Sequence, residues 1–331
     1  MIKSMLITAL KFIFAISIIV WMIYNGKLDF SILTSSLQYK MAWAIGFFIM
    51  ILNILLTTIR WKILLEIKSS TTLRLSTMIR LTWIGVFFSS VLPGIVTGDV
   101  VKLVYAKDLD KNLSKTYLLT SALMDRIIGL IGLLLLIGLS SAIYYDTLIA
   151  KGEHVAHLVH LNFIIFIGVI FFILAIILPA KIQNYLHIGL KKIPAVGNLI
   201  SRVSSAIWDI GKNPKALGFS IGISLVVQTL NVFAFWALAT PFITGTILSF
   251  EHALSFIPLG FVTIAIPISP AGIGVGHAAF DQLFSLYGIN NGASLFNLYF
   301  ICWITINLFG VIPYLMSSKK YSIKDASEFD K

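Results

Sequence analysis

Charge is scarce in this chain. Only 12% of its 331 residues are Asp, Glu, Lys or Arg, and just 14 of them are acidic. Soluble domains carry about 25%, so a conventional soluble fold is excluded. Cysteine is reduced to Cys302, inside an apolar run, which rules out an intrachain disulfide. No long polar segment divides the chain, so a single bundle over 1–316 with a short tail, 317–331, is expected rather than two domains. Enzyme signatures are missing too. There is no nucleophile elbow, P-loop, HExxH or dinucleotide fingerprint in a βαβ setting. The expectation is a protein without catalytic residues, cofactor or metal.

What is present is hydrophobic. Apolar residues make up 58% and the mean hydropathy is +0.94. A spanning helix needs about 20 largely apolar residues, and six stretches qualify: 6–23, 41–59, 117–144, 161–178, 217–240 and 295–315. The first follows Lys3 and includes Lys11 without an A-x-A-like site after it, and so reads as an uncleaved anchor. Two further apolar stretches, 81–106 and 253–286, are broken by Pro and Gly near their middles.

The net charge of +11 raises the question of nucleic acid, but the placement of the basic residues argues for a membrane instead. All but Lys27, Lys40 and Lys151 fall at the N-terminus, in 60–80, 102–126 and 181–215, or in the tail. The positive-inside rule puts those segments and both termini in the cytoplasm, in a multi-pass cell-membrane protein. Stretch 81–106 then has basic flanks on both sides and has to return to the face it entered. Stretch 253–286 has flanks without Lys or Arg and mirrors it from outside. The expected fold is all-α: a polytopic bundle of about six spans plus two oppositely oriented re-entrant broken-helix hairpins, forming an inverted repeat.

The first break, LPGIVTGDVVK at 92–102, is where irregular backbone meets ionisable residues at membrane depth. Pro93 ends one half-helix, Gly94 and Gly98 permit the turn, and Asp99 is the expected N-cap of the returning half, with Lys102 one turn on to pair with it. Exposed N–H groups at such a helix start favour an anion, and a lipid phosphate fits. The second break, IPISPAGIGVGH, carries Pro270, Gly272, Gly274 and His277. Glu251, His252, His277 and Asp281 are candidates for a proton-coupling cluster. Arg60-Trp61 reads either as part of the site or as an interfacial anchor. Asp125-Arg126 reads as a phosphate-binding edge or an interfacial pair. Gly218 and Gly222 read as a helix-packing GxxxG, His154, His157 and His160 as a solvated loop, and 60–80 and 181–215 as interfacial amphipathic helices.

In order, these motifs resemble the lysylphosphatidylglycerol-synthase transmembrane, or flippase-like domain, family: Arg60-Trp61 with Leu64-Leu65, the LPG…GD…K stretch, Asp125-Arg126, and P-x-G-x-G at 270–274. The resemblance runs from about residue 6 to 315. It implies movement of an aminoacylated phospholipid between leaflets and a site at Arg60, Trp61, Pro93, Gly98, Asp99, Asp125, Arg126, Gly272 and Gly274. Lys102 stands where the family often has Arg, and His277 where Glu is common. The chain ends 16 residues after Leu315, so a member without the family's aminoacyltransferase domain is expected. The expected partner is a membrane phospholipid or lipid-linked substrate. Two other readings stand beside transport: a scaffold for a partner lipid synthase or glycosyltransferase, and an intramembrane lipid-modifying transferase acting through Asp99 and Asp125.

Overall fold

The computed structural model describes residues 30–91, 97–191, 197–243, 245–265 and 272–317, with the single positions 13, 17, 20 and 24. Span 6–23 apart from those single positions, the tail beyond 317, Pro93, Gly94 and Pro270 lie outside these residues. Among the described residues every regular element is helical: α1 Phe30–Ser36, α2 Lys40–Glu66, α3 Leu75–Val91, α4 Thr97–Ala106, α5 Lys115–Ile143, α6 Tyr145–Ile149, α7 Glu153–Ile176, α8 Ala180–Lys191, α9 Gly197–Gly211, α10 Pro214–Ala239, α11 Phe250–Ala265, α12 Val275–Ser285, α13 Gly292–Leu308 and α14 Val311–Leu315. Five stretches, Lys40–Glu66, Lys115–Ile143, Glu153–Ile176, Pro214–Phe242 and Gly292–Leu315, are long and apolar enough to cross a membrane. The protein is a polytopic all-α membrane protein.

Local chemistry sets the boundaries. Ser114 caps α5 through its hydroxyl, which accepts from the Tyr117 amide at 3.2 Å, and Pro214 opens α10 at a position where its missing N–H costs nothing. Helix α2 runs seven residues past the apolar window ending at 59. The charges in that extension are neutralised: Lys62 pairs with Glu66 at 2.7 Å, and Arg60 turns into the bundle.

The two broken stretches form helix pairs with the same proportions. A 17-residue α3 precedes a 10-residue α4, and a 16-residue α11 precedes an 11-residue α12. At 1.5 Å per residue the short arms are about 15–17 Å long, well under the ~30 Å of a bilayer core. The expectation of evenly split breaks is corrected: the first arm is the longer in both. In each pair the outer ends meet. Asp110, just after α4, accepts from the Ser70 amide and from the Ser69 and Ser70 hydroxyls, all at 2.8 Å, ahead of α3. Tyr287, just after α12, bonds Ser255 near the start of α11 at 2.7 Å.

Two cores flank a shared wall. One gathers Trp61, Leu65, Met78, Leu81, Ile84, Val101 and Leu103 around α3 and α4. The other is a stack of Phe235, Phe280, Phe284 and Phe296 around α11 and α12, with ring centroids 4.8–5.6 Å apart for the closest pairs. Helix α13 serves both. Its Ile306 carbonyl accepts from Trp83 at 3.0 Å and Asn307 donates to Ser90 at 3.0 Å, while Phe296 packs on His277 at 4.9 Å.

Candidate functional site

Helices α3 and α4 approach so closely that a side chain on Gly98 would collide with the Gly85 carbonyl and with Ser89. This corrects the sequence expectation on two points. Gly98 lies inside α4, where its role is backbone contact rather than turning. Asp99 lies in the first turn of a helix that begins at Thr97, so it is not the N-cap. Freed from capping, its carboxylate is taken up by cations. Lys102 Nζ lies 3.2 Å from Asp99 Oδ1, and Arg126 of α5 donates its Nε to Asp99 Oδ2.

Lys102 is 6% exposed, and its ammonium sits 4.3 Å from the centre of the Trp61 ring. Trp61 is 1% exposed and donates its Nε1 to Ser121 at 3.2 Å. It is the floor under Lys102, so the interfacial-anchor reading of Arg60-Trp61 is overturned. Arg60 is equally interior: Nε donates to Asp125 Oδ1 at 2.7 Å and Nη1 to Ser224 Oγ of α10 at 2.7 Å. The adjacent residues Asp125 and Arg126, 100° apart around α5, thus reach two different helices. Asp125 closes the buried pair, and Arg126, with 40% of its side chain exposed, opens outward beside Asp99.

Among the described residues, three cations and two carboxylates leave this cluster with one excess positive charge. It lies within the apolar bundle. Arg60 is six residues from the end of α2 and Asp125 ten from the start of α5, about 9 and 15 Å along their axes. Removing Arg60 or Asp125 leaves the other's charge stranded among apolar groups. The arrangement suits an anion approaching Lys102 and Arg126 from the open side, with the fixed Arg60–Asp125 pair behind it.

Gly272, Gly274 and His277 belong to the other helix pair. Gly272 and Gly274 have φ of +76° and +80°, a conformation that favours glycine, and lead directly into α12. His277 Nδ1 accepts from the Gly274 amide at 3.3 Å and its ring is packed on Phe296. The two histidines of the expected proton-coupling cluster are set apart. His252 lies at the outer end, bonded to Ser249 at 2.8 Å and stacked near Tyr287, ten residues along from His277. Gly218 and Gly222 face outward with open space where a Cβ would stand, which corrects the helix-packing reading.

Sequence reasoning missed Ser121 and Ser224, the neutral partners of Trp61 and Arg60. It also missed a polar stripe along α10 and facing helices: Asn53 of α2, Gln228, Asn231, and Tyr299 of α13. The available signal was the recurrence of Ser220, Ser224, Gln228 and Asn231 at spacings of four, four and three inside an apolar span.

Comparison with known proteins gives one result. The family model described as Lysylphosphatidylglycerol synthase TM region matches residues 8–309. No curated protein and no solved structure matches significantly.

Proposed function

The chain belongs to the lysylphosphatidylglycerol synthase transmembrane-region family, and on that premise we propose that it binds the phosphate of an anionic phospholipid or aminoacyl-lipid at Lys102 and Arg126 and moves the headgroup between leaflets. The observation that carries this reading is the excess positive charge gathered by α2, α4 and α5 around Asp99, deep in an apolar bundle. In low dielectric a net cation attracts an anion far more strongly than at a wet surface. Asp99 holds both cations in place between visits, and a phosphate takes over their hydrogen bonds. Gly98 seats α4 against α3, and Gly272 and Gly274 shape the backbone that leads into α12.

In this reading both helix pairs are re-entrant hairpins of an inverted repeat in the cell membrane, with the termini cytoplasmic. Joined outer ends and short second arms support it. The transferase reading asks Asp99 and Asp125 to converge on one acceptor, whereas each carboxylate is engaged by cations of another helix.

The test is leaflet-resolved movement of a fluorescent anionic lipid in liposomes holding the purified protein. Wild type should move it, and Asp99→Asn and Lys102→Ala should each abolish movement while inserting normally. Movement at the wild-type rate in either variant would sink the site assignment, and no movement by wild type with any headgroup would favour a scaffold.

A further inference from the structure

Beyond the charged cluster, polar side chains that the anion site does not use continue on the same inner faces. Nine residues at 100° each put Gln228 opposite Phe219, whose side of α10 is exposed. Gln228 Nε2 donates to the Gly129 carbonyl at 3.2 Å, and Gly129 lies against the Arg60 guanidinium. Asn231 Nδ2 donates to Gln228 Oε1 at 3.2 Å. Asn231 Oδ1 accepts from Asn53 Nδ2 at 2.7 Å and from the Tyr299 hydroxyl at 3.2 Å. Polar groups therefore run from Arg60, past Gly129, to Tyr299.

This run repeats the charged site in neutral form. Arg60 of α2 meets Ser224 of α10; seven residues back on α2, Asn53 meets Asn231, seven residues on along α10. Equal steps in opposite directions are what a two-fold relation between α2 and α10 produces, with Arg60 matched to Asn231 and Ser224 to Asn53. The match extends outward. Arg60 is bonded by Asp125 in the span after the first helix pair, and Asn231 by Tyr299 in the span after the second.

Two observations separate this seam from ordinary polar contacts between membrane helices. Asn53 is 8% exposed, yet its Oδ1 has no hydrogen-bond partner among the described residues. Gln228 and Asn231 stay only half-buried although their hydrogen bonds run into the bundle.

We propose that Asn53, Gln228, Asn231 and Tyr299 form a second binding station for the uncharged, hydroxyl-rich part, a sugar or polyol, of a lipid headgroup whose phosphate lies at Lys102 and Arg126. The proposal rests on the phosphate-site reading above. Amides offer donors and acceptors together, which matches hydroxyls, and the seam carries no charge to hold a second anion. Asn53 lies seven residues, about 10 Å along α2, from Arg60 of the charged cluster, a separation suited to a headgroup that extends a sugar ring beyond its phosphate. A bare phosphate cannot bridge it.

The experiment measures binding of phosphatidylinositol and phosphatidic acid to the purified full chain in nanodiscs by native mass spectrometry. Wild type should bind phosphatidylinositol about tenfold more tightly. Tyr299→Phe and Asn231→Leu should erase that preference and leave phosphatidic acid binding unchanged. Lys102→Ala should weaken both lipids. If the seam variants leave the preference intact, or weaken both lipids equally, the station is refuted while the phosphate site stands. If Lys102→Ala weakens neither, the phosphate site falls and the station falls with it. Should Asn231→Leu fail to fold, Tyr299→Phe, which removes a single hydroxyl, decides the matter alone.

Discussion

Asp125→Ala is the sharpest perturbation of the buried pair. Arg60 and Asp125 have side chains only 6% and 12% exposed, so water cannot take over when one partner is removed. The variant leaves the Arg60 guanidinium with Ser224 Oγ as its remaining close partner. Breaking a buried ion pair from one side costs about 3–5 kcal/mol. A lone Arg at the centre of a membrane helix independently comes to about 2.5–3.5 kcal/mol. Both estimates put the loss near 3 kcal/mol. Replacing both partners with apolar residues of similar size, Arg60→Met with Asp125→Leu, should recover most of it, because no unpaired charge remains. By contrast Arg126→Gln, at a side chain 40% exposed, should cost about 1 kcal/mol or less. The measurement is a double-mutant cycle in mixed micelles, following tryptophan fluorescence through an SDS titration. A single variant within about 1 kcal/mol of wild type, or a double variant no more stable than the single, would refute the buried-pair reasoning.

Gly98→Ala should destabilise the α3–α4 contact by about 1–3 kcal/mol through overpacking. Gly222→Ala, with open space at its Cβ, should be neutral or gain up to about 1 kcal/mol; thermal unfolding distinguishes the two. Single cysteines in a Cys302→Ala background should be labelled from one face at Thr72→Cys and Lys111→Cys, and from the other at Gly152→Cys and Asn290→Cys. Opposite faces for the first two would mean that α3 and α4 cross the membrane once between them. The Asp110 carboxyl is held well below the usual carboxylate range, first by the Asn112 amide and then by the Ser69 and Ser70 hydroxyls. A depressed folded value stabilises above the unfolded value near 3.9 and is lost only as pH falls through the folded one. Limited proteolysis of 107–114 should therefore be flat from pH 7 to 5 and rise in stronger acid, whereas Asp110→Asn should cut faster throughout.

The five described spans were legible because each presents a full apolar window, and the breaks because Pro and Gly cluster where hydropathy stays high. Ends were less legible: a window counts Arg60, Lys62 and Glu66 as polar, while the fold neutralises them in pairs and continues the helix. Within the site, Asp99–Lys102 could be read from spacing, as an i,i+3 pair on one helix. Arg126 to Asp99 and Arg60 to Asp125 could not, because their partners lie 27 and 65 residues apart and meet only through packing. The same reason defeated the histidine cluster: neighbours along the apolar stretch are sent to opposite ends of a helix pair.

The sequence separations of Arg60's partners also bear on how the chain is made. Asp125 follows it by 65 residues and Ser224 by 164. During synthesis α2 therefore enters the membrane before the carboxylate that pairs with Arg60 in the fold has been made, and the pair forms only when α5 emerges. The intervening α4 arrives with Asp99 and Lys102 already able to pair with each other, so it adds no stranded charge of its own. The first half can settle only once the ribosome has passed Arg126, when Arg60 gains Asp125 and Asp99 gains its second cation. The second half brings amides and hydroxyls to its matching contacts and joins a structure whose Asp99 and Asp125 carboxylates are already paired. Truncations ending before Asp125 should thus be degraded, and those ending just beyond Ile143 should persist.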